Sequence, residues 1–159
     1  LGVEKNTALK GMKNTIPDPG ALFIWKLNYK KNSSYFISGF AANDPHSTKM
    51  VWNLIKKRYN KTKSCIFLNT RDDRRYRTIQ LIDLVLNDIK PDLFIIRADN
   101  VDKLISKYED GIETIKFSMA AKPGNIIDTV MNLNNYHILG IGNIVGWGED
   151  FVEKLKAYT

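Results

Sequence analysis

The sequence contains very few residues of the kinds that bind metals or form disulfide bonds. It has one cysteine, Cys65, and two histidines, His46 and His137, far apart along the chain. A single cysteine excludes an internal disulfide bond, and its position in an apolar run indicates a reducing compartment. Because zinc sites need several clustered cysteine or histidine ligands, we predict no metal site in this chain.

Long apolar runs and targeting segments are missing as well. No stretch approaches the roughly 18 apolar residues needed to span a membrane, and no signal-peptide pattern is present. The P-loop pattern G-x-x-x-x-G-K-[S/T] is absent throughout. What remains is a chain of 159 residues, 43% hydrophobic and 26% charged, which is enough for one globular domain with a real core.

The net charge of +7 indicates a basic surface. The cations concentrate in residues 26–31, 56–63 and 71–77. Such a surface can bind nucleic acid, an anionic lipid or a polyanionic product, although a solvated basic face is the commoner explanation. No nucleic-acid-binding motif accompanies the charge and the aromatic residues fit a core, so no nucleic acid partner is expected.

The hydrophobic pattern predicts strands that alternate with helices. The predicted strands are residues 21–27, 34–40, 64–69, 93–96, 113–117 and 136–141. The predicted helices are residues 1–12, 45–59, 70–88, 101–108 and 125–131, followed by a last helix that ends near residue 158. The first two strands are close enough to form a hairpin. Regular alternation of this kind is typical of an α/β domain with a mainly parallel sheet flanked by helices.

A proline-rich segment separates the first helix from the first strand. Residues 14–20 (NTIPDPG) contain Pro17 and Pro19, which stiffen the backbone, and Gly20, which allows a turn. We interpret this segment as an interdomain hinge, with a simple loop as the alternative. The chain begins without methionine, in what looks like the middle of a helix, which suggests a piece of a longer protein.

The segment FAANDPHST, residues 40–48, is the central candidate for a binding site. It joins an apolar strand to a helix, with Asp44 as a good N-cap and Pro45 in the first helical turn. Four polar side chains cluster at this corner: Asn43, Asp44, Ser47 and Thr48. The positive end of a helix dipole suits a phosphate or a carboxylate there, whereas a well-capped helix is the simpler explanation. His46 is a candidate acid or base, although a histidine in this position more often supports the loop.

Three further loops follow predicted strands and are expected at the same edge of a parallel sheet, where ligands bind. The first, NTRDDRRYR, carries Arg71 and Arg74, whose planar guanidinium groups match phosphate or carboxylate. Asp72 and Asp73 partly neutralise this loop, so a salt-bridged helix start is an equally good explanation.

The other two loops contain candidate substrate contacts. Asp99 and Asn100 have groups that can hold an amino group or a ribose hydroxyl, or cap a helix. The segment GIGNIVGWG, residues 140–148, has glycines that allow the backbone to approach a ligand, and Gly142 and Asn143 are its candidate substrate-binding residues. Its spacing does not fit G-x-G-x-x-G, which disfavours a nucleotide-dependent oxidoreductase. His137, at the start of a buried strand, is expected to be structural.

The order of these motifs resembles a known family. PDPGA (residues 17–21), FAANDPHST, NTRDDRRYRT (residues 69–78) and GIGNIVGWG look like the C-terminal part of the ATP-dependent ligase subunit of poly-γ-glutamate synthase. That subunit is the capsule-type member of the Mur ligase superfamily. The similarity extends from about Leu1 to the end of the chain, and FAANDPHST is its most specific element.

The resemblance implies a Rossmann-like C-terminal domain, residues 21–159, that closes over a P-loop ATPase domain. Residues 1–20 would then be the end of a central-domain helix and the hinge. The family forms amide bonds by way of an acyl phosphate, with glutamate as the incoming amino acid and poly-γ-glutamate as the product. ATP and Mg²⁺ are the implied cofactors. The missing central domain would hold most of their contacts, so this chain alone is expected to be inactive.

The resemblance also implies roles for individual residues. The implied ATP or phosphate contacts are Asn43, Asp44, Ser47, Thr48, Arg71 and Arg74. Asp99 and Asn100 lie where some Mur ligases hold the incoming amino acid, although the segment RADNVDK departs from the capsule ligases and leaves the substrate open. The implied partners are the P-loop domain of the same chain and membrane subunits of the synthase, at the cytoplasmic face of the membrane. A homo-oligomer is left open.

A protein of another class is the alternative. In that hypothesis the chain is a non-catalytic Rossmann-like binding or scaffold module, and its basic surface docks a partner subunit of the synthase. The missing P-loop motivates it.

Overall fold

The computed structural model describes residues 2–15, 21–108 and 111–159. The helices are α1 (Lys5–Lys13), α2 (Pro45–Arg58), α3 (Arg75–Asp83), α4 (Val101–Ile105), α5 (Pro123–Asn132) and α6 (Trp147–Lys156). The strands are β1 (Phe23–Tyr29), β2 (Asn32–Ser38), β3 (Lys63–Asn69), β4 (Leu93–Arg97), β5 (Glu113–Phe117) and β6 (Tyr136–Gly142). A 3-10 turn (Asp72–Arg74) precedes α3, and a π-helical turn (Leu84–Ile89) follows it.

The strands form one sheet in the order β1-β2-β6-β3-β4-β5. β1 and β2 pair antiparallel as a hairpin, and all the other neighbouring strands are parallel. The predicted hairpin and the predicted mainly parallel sheet are therefore both confirmed. The last strand, β6, is inserted between β2 and β3, an order that the alternation of strands and helices does not predict.

Helices cover both faces of the sheet and bury its apolar side chains. On one face, α2, α3 with its π-helical turn, and α4 pack on strand residues such as Leu68. On the other face, α5 and α6 pack on strand residues such as Phe67. Because successive side chains of a strand point to opposite faces, β3 needs apolar residues at both kinds of position. The run CIFL supplies them, and all four of its side chains are buried.

Element boundaries differ from the predicted ones mainly next to turns. The first two strands pair up to a turn formed only by Lys30 and Lys31, with Lys30 in the left-handed region at φ 54°. The pairing thus extends into residues predicted as a polar loop. The single helix predicted for residues 70–88 is a 3-10 turn, an α-helix and a π-helical turn in series. Lys90, also left-handed at φ 49°, ends this series just before Pro91.

The predicted hinge falls largely on residues 16–20, which lie outside the described residues. The hinge and the domain boundary at residue 20 therefore stay predictions. The helix before them, α1, is formed, and its N-cap is Glu4, whose side chain accepts hydrogen bonds from the N–H groups of Asn6 and Thr7. It buries no side chain. Within the described ranges, no helix combines the length and the apolar character needed to cross a membrane.

Candidate functional site

The carboxyl ends of β3 and β6 mark a switch point in the sheet. The two strands are parallel neighbours. The chain leaves β3 toward α3 on one face of the sheet and leaves β6 toward α6 on the other. The two loops diverge, so a crevice opens between them, which is the usual position for a ligand in an open α/β sheet.

A cleft of about 190 Å³ occupies this crevice. It is lined by the loops that follow β2, β3 and β6 and by the start of α3. Its polar lining residues are Asn43, Asn69, Thr70, Arg71, Arg74, Arg77, Thr78 and Asn143. Three of them are arginines and no carboxylate is among the lining residues, so this first cleft suits an anion.

Five residues singled out from the sequence meet in the first cleft. They are Asn43, Arg71, Arg74, Gly142 and Asn143, and they come from three separate loops. The resemblance assigned Asn43 and the arginines to phosphate, whereas the glycine-rich loop was assigned to substrate. The structure places both groups around one cavity. Whether each residue contacts a ligand stays a prediction.

The arginine loop contains an ion pair, and its arginines also line the first cleft. Arg71 donates two hydrogen bonds to the Asp73 carboxylate, Nε–Oδ1 at 2.8 Å and Nη2–Oδ2 at 2.7 Å. Arg74 Nε lies 3.7 Å from Asp73 Oδ2. The hydrogen bond from Arg71 is the main reason that the pKa of Asp73 lies below its usual value. The ion pair agrees with the salt-bridged helix start, whereas anion binding by this loop stays a prediction. Arg77 joins Arg71 and Arg74 in the cleft lining.

The FAANDPHST corner is built as a capped helix start. The Asp44 carboxylate accepts a hydrogen bond from the Ser47 N–H at 3.0 Å. Contacts from the Ser47 hydroxyl and N–H hold the pKa of Asp44 below its usual value. Thr48 is fully buried, and its hydroxyl donates to the Ala42 carbonyl at 2.7 Å. These contacts fix the loop on α2, and Asn43 is the polar residue of the corner that lines the cleft. His46 is exposed in the first turn of α2.

A second cleft of about 210 Å³ lies on the other side of Arg71. Asp99 and Asn100 both line it, as do Asp72 and Arg75. The two clefts share Thr70, Arg71 and Thr78 in their linings. Unlike the first cleft, the second one carries both signs of charge, which suits a zwitterion such as an amino acid.

A buried polar network behind the first cleft was missed from the sequence. Arg97, the last residue of β4, is 5% exposed and donates from Nη1 to Asn69 Oδ1 at 2.9 Å. The Asn69 amide donates to the Asn143 carbonyl at 2.7 Å. The Asn143 N–H in turn donates to the Asn69 carbonyl at 2.8 Å. A charged residue at the end of the apolar strand LFIIR was the signal that would have found this network.

Arg97 is unusual because its positive charge is buried. Its other terminal nitrogen donates to the Met119 carbonyl, and the guanidinium lies 4.3 Å from the centre of the Trp147 ring. Among the described residues Arg97 has no ion pair, and its Nε has no hydrogen-bond partner. Burial lowers the pKa of Arg97, while the charges of Asp72 and Asp99 oppose that change. The group stays a cation at neutral pH.

Metal ligands are not grouped in this part of the molecule. Across residues 2–15, 21–108 and 111–159, no set of three or more histidine, cysteine, aspartate or glutamate side chains is placed to hold a metal ion. The one cysteine, Cys65, is buried in β3, and burial raises the pKa of its thiol well above the usual value. It lines neither cleft.

Two solved structures contain the same fold. Folylpolyglutamate synthase from Thermotoga maritima superposes with a TM-score of 0.63 and 14% identity, over 100% of this chain and 35% of that protein. The UDP-N-acetylmuramoylalanyl-D-glutamyl-2,6-diaminopimelate–D-alanyl-D-alanyl ligase from Acinetobacter baumannii gives a TM-score of 0.60 and 14% identity, over 98% and 33%. The domain therefore has the Rossmann-like fold of the Mur ligase C-terminal domain, as the resemblance implied.

The chain belongs to the family described as the poly-gamma-glutamate synthase CapB C-terminal domain, which matches residues 24–158. It is 33% identical over 165 residues to PGA synthase CapB from Bacillus subtilis, covering 99% of this chain and 42% of that protein. It is 32% identical over 160 residues to capsule biosynthesis protein CapB from Bacillus anthracis, covering 98% and 34%. The family resemblance is thereby confirmed, and the chain spans less than half the length of either relative.

Proposed function

We propose that this chain is the C-terminal domain of an ATP-dependent amide ligase that makes poly-γ-glutamate, and that it completes the active site with anion contacts. The observation that carries the proposal is the first cleft, which places Arg71, Arg74 and Arg77 at the switch point of the sheet without a carboxylate in the lining. Membership in the CapB family supports the identity of the product.

The arginines of the first cleft match the charges that the proposed reaction develops. ATP supplies the phosphoryl group that activates a carboxylate as an acyl phosphate, and the amino group of an incoming glutamate then displaces the phosphate. Negative charge rises on phosphate oxygens and on the tetrahedral centre, where oriented cations stabilise it most. Arg74 and Arg77 line the cleft together with Gly142 and Asn143, and in this proposal the two arginines stabilise that charge.

The second cleft is the proposed site of the incoming glutamate. Asp99, Arg71 and Arg75 all line this cleft. In this proposal the Asp99 carboxylate receives the ammonium group, and the two arginines receive carboxylates. Arg71 lines both clefts. In this proposal it therefore contacts both the incoming amino acid and the acyl phosphate that the amino group attacks. The departure of RADNVDK from the capsule ligases falls in this cleft, where Ala98, Asp99 and Asn100 are lining residues.

The rest of the implied machinery is proposed to lie in a P-loop domain of the same protein. The absence of carboxylates from the first cleft supports this division, since Mg²⁺ prefers oxygen ligands such as carboxylates and phosphates. The arginines fit ATP phosphates but not the metal itself. Closure of the two domains about the predicted hinge would exclude water, which otherwise hydrolyses an acyl phosphate. Membrane subunits of a synthase and a position at the cytoplasmic face of the membrane are part of the same proposal.

The test uses the full-length protein and measures ATP hydrolysis that depends on glutamate. We expect Arg71→Ala and Arg77→Ala to raise the KM for ATP about tenfold or more, because each removes a charge-assisted contact to phosphate. Arg58→Ala is the matched control, since Arg58 is exposed at the far end of α2 and removes the same charge without touching either cleft. An unchanged KM in all three variants would contradict the placement of the site.

A second candidate function is a docking module for a partner subunit. It is supported by exposed cations at the opposite, amino edge of the sheet: Lys30, Lys31, Lys56, Lys57, Lys61 and Lys63. The same assay separates the two candidates. If full-length protein shows no glutamate-dependent ATP hydrolysis, the ligase proposal fails and the docking module is favoured.

A further inference from the structure

One buried arginine contacts three parts of the chain at the carboxyl edge of the sheet. The Arg97 guanidinium contacts the end of β3 through Asn69, the loop after β5 through the Met119 carbonyl, and the start of α6 through the Trp147 ring. Its backbone carbonyl also accepts hydrogen bonds from Thr70, from the hydroxyl at 2.9 Å and from the N–H at 3.1 Å.

A chain of hydrogen bonds connects Arg97 to one wall of the first cleft. Asn69 exchanges two hydrogen bonds with the backbone of Asn143, and the Asn143 side chain donates to the Val145 carbonyl at 2.8 Å. Asn143 and Val145 line the first cleft, together with Ile144 between them. Arg97 itself does not line the cleft, so its influence on a ligand there must pass through Asn69 and this wall.

Arg97 is a costly residue for a merely structural task. A buried cation loses hydration on folding, and among the described residues no carboxylate lies within ion-pair distance of Arg97 to offset that loss. Its Nε also lacks a hydrogen-bond partner within the described part of the chain. The advantage of arginine is its planar guanidinium group, which can donate hydrogen bonds in two directions and also stack on an aromatic ring. A lysine ammonium has no flat face and cannot make the three contacts together.

We propose that Arg97 is a positioning residue for the first cleft. By fixing Asn69, and through it the backbone of Asn143, Arg97 sets the distance between the wall at residues 143–145 and the arginine loop, and so the affinity of the cleft for its anionic ligand. The inference rests on the proposed function in one respect, namely that the ligand is the phosphate-bearing nucleotide.

The test compares Arg97→Gln, Arg97→Lys, Asn69→Ala and the double variant Arg97→Gln/Asn69→Ala in the full-length protein. Steady-state kinetics give the KM for ATP and kcat of each variant. A separate experiment measures the amide hydrogen exchange of residues 142–147. We expect both Arg97 variants to raise the KM about tenfold, to change kcat less than about threefold, and to accelerate exchange in the segment. Because Arg97 acts through Asn69, the double variant should show no further rise in KM. Arg58→Gln removes the same charge at the opposite edge and should match wild type.

Each other outcome decides against the proposal. A wild-type KM in Arg97→Lys would show that charge alone matters, and additive effects in the double variant would show that Arg97 and Asn69 act independently. If Arg97→Gln does not fold, Asn69→Ala by itself must raise both the KM and the exchange rate, and unchanged values overturn the inference. If wild-type protein shows no glutamate-dependent ATP hydrolysis, the proposed function fails, yet the exchange of residues 142–147 still tests the positioning role.

Discussion

His137 shows how a titratable side chain can be built into the core. It is 2% exposed in β6, with its ring against Tyr59 and Trp52. Nδ1 lies 2.7 Å from the Thr62 hydroxyl, which in turn lies 2.9 Å from the Tyr59 carbonyl. A hydroxyl has one hydrogen and a carbonyl only accepts, so the tautomer with hydrogen on Nδ1 satisfies both contacts. These contacts agree with the structural role expected for this histidine.

Stability should depend on pH through His137. Burial, and to a lesser extent the charge of Lys56, lower the pKa of His137, while Asp92 opposes them. Between the lowered pKa of the folded state and the unfolded pKa of about 6.5, the unfolded chain therefore binds more protons than the folded one. The free energy of unfolding should fall as the pH drops from 7.5 to 5.5, and Tm measured by circular dichroism should fall with it. In His137→Gln this fall should be smaller.

The comparison of His137→Gln with wild type at pH 7.5 is the control for this experiment, because the change in Tm at that pH reports the packing lost with the ring. If His137→Gln instead shows the full wild-type dependence between pH 7.5 and 5.5, the responsible group lies elsewhere.

Strand β6 depends on glycine at its carboxyl end. Gly142 has φ 93°, a region that side chains rarely adopt, and a Cβ there would lie 2.2 Å from the Asn69 carbonyl oxygen. The strand can therefore come close enough to β3 for the Asn69–Asn143 hydrogen bonds only if residue 142 has no side chain. The glycine that the sequence suggested for ligand approach is required by the packing of two strands.

Two glycine substitutions should have opposite effects on stability. Gly142→Ala should lower the free energy of unfolding by about 3 kcal/mol or more, since it adds both backbone strain and a collision with β3. Gly124→Ala is the matched control, because Gly124 lies in α5 with no atom within 4 Å of an added Cβ. That variant should gain about 0.5 kcal/mol from reduced freedom of the unfolded chain. Urea unfolding measures both, and equal effects would contradict the packing argument.

The molecule as a whole is organised around the two strands at the centre of the sheet. β3 pairs with β4 and β6, and β6 pairs with β2 and β3, so each has partners on both sides. Helices cover both faces of these strands. In contrast, α1 buries no side chain. Local stability should therefore be greatest in β3 and β6 and smallest in α1.

Native-state hydrogen exchange measures this gradient directly. Amides of β3 and β6 should exchange only by global unfolding, and they should be the slowest in the described part of the chain. Amides of α1 should exchange several orders of magnitude faster, because local opening exposes no core. Equal protection of α1 and β3 would show that α1 is held by contacts absent from the structure described above.

Local patterns in the sequence were sufficient for the class of fold and the family. The alternation of side chains in strands and the helical period depend on neighbouring residues, so runs such as CIFL and the Asp44-Pro45 cap identified their elements without tertiary information. The order of FAANDPHST, the arginine loop and GIGNIVGWG was sufficient for the family.

Only the tertiary structure decided which of these residues meet. The insertion of β6 between β2 and β3 brings Asn43, Arg71 and Asn143 to one cleft, and strand order is set by packing between residues far apart in the chain. The same packing buries Thr48 and joins Arg97 to Asn69. A polar residue at a strand end looks the same in sequence whether it faces a ligand or a neighbouring loop, because the distinction depends on contacts that form only when the sheet closes.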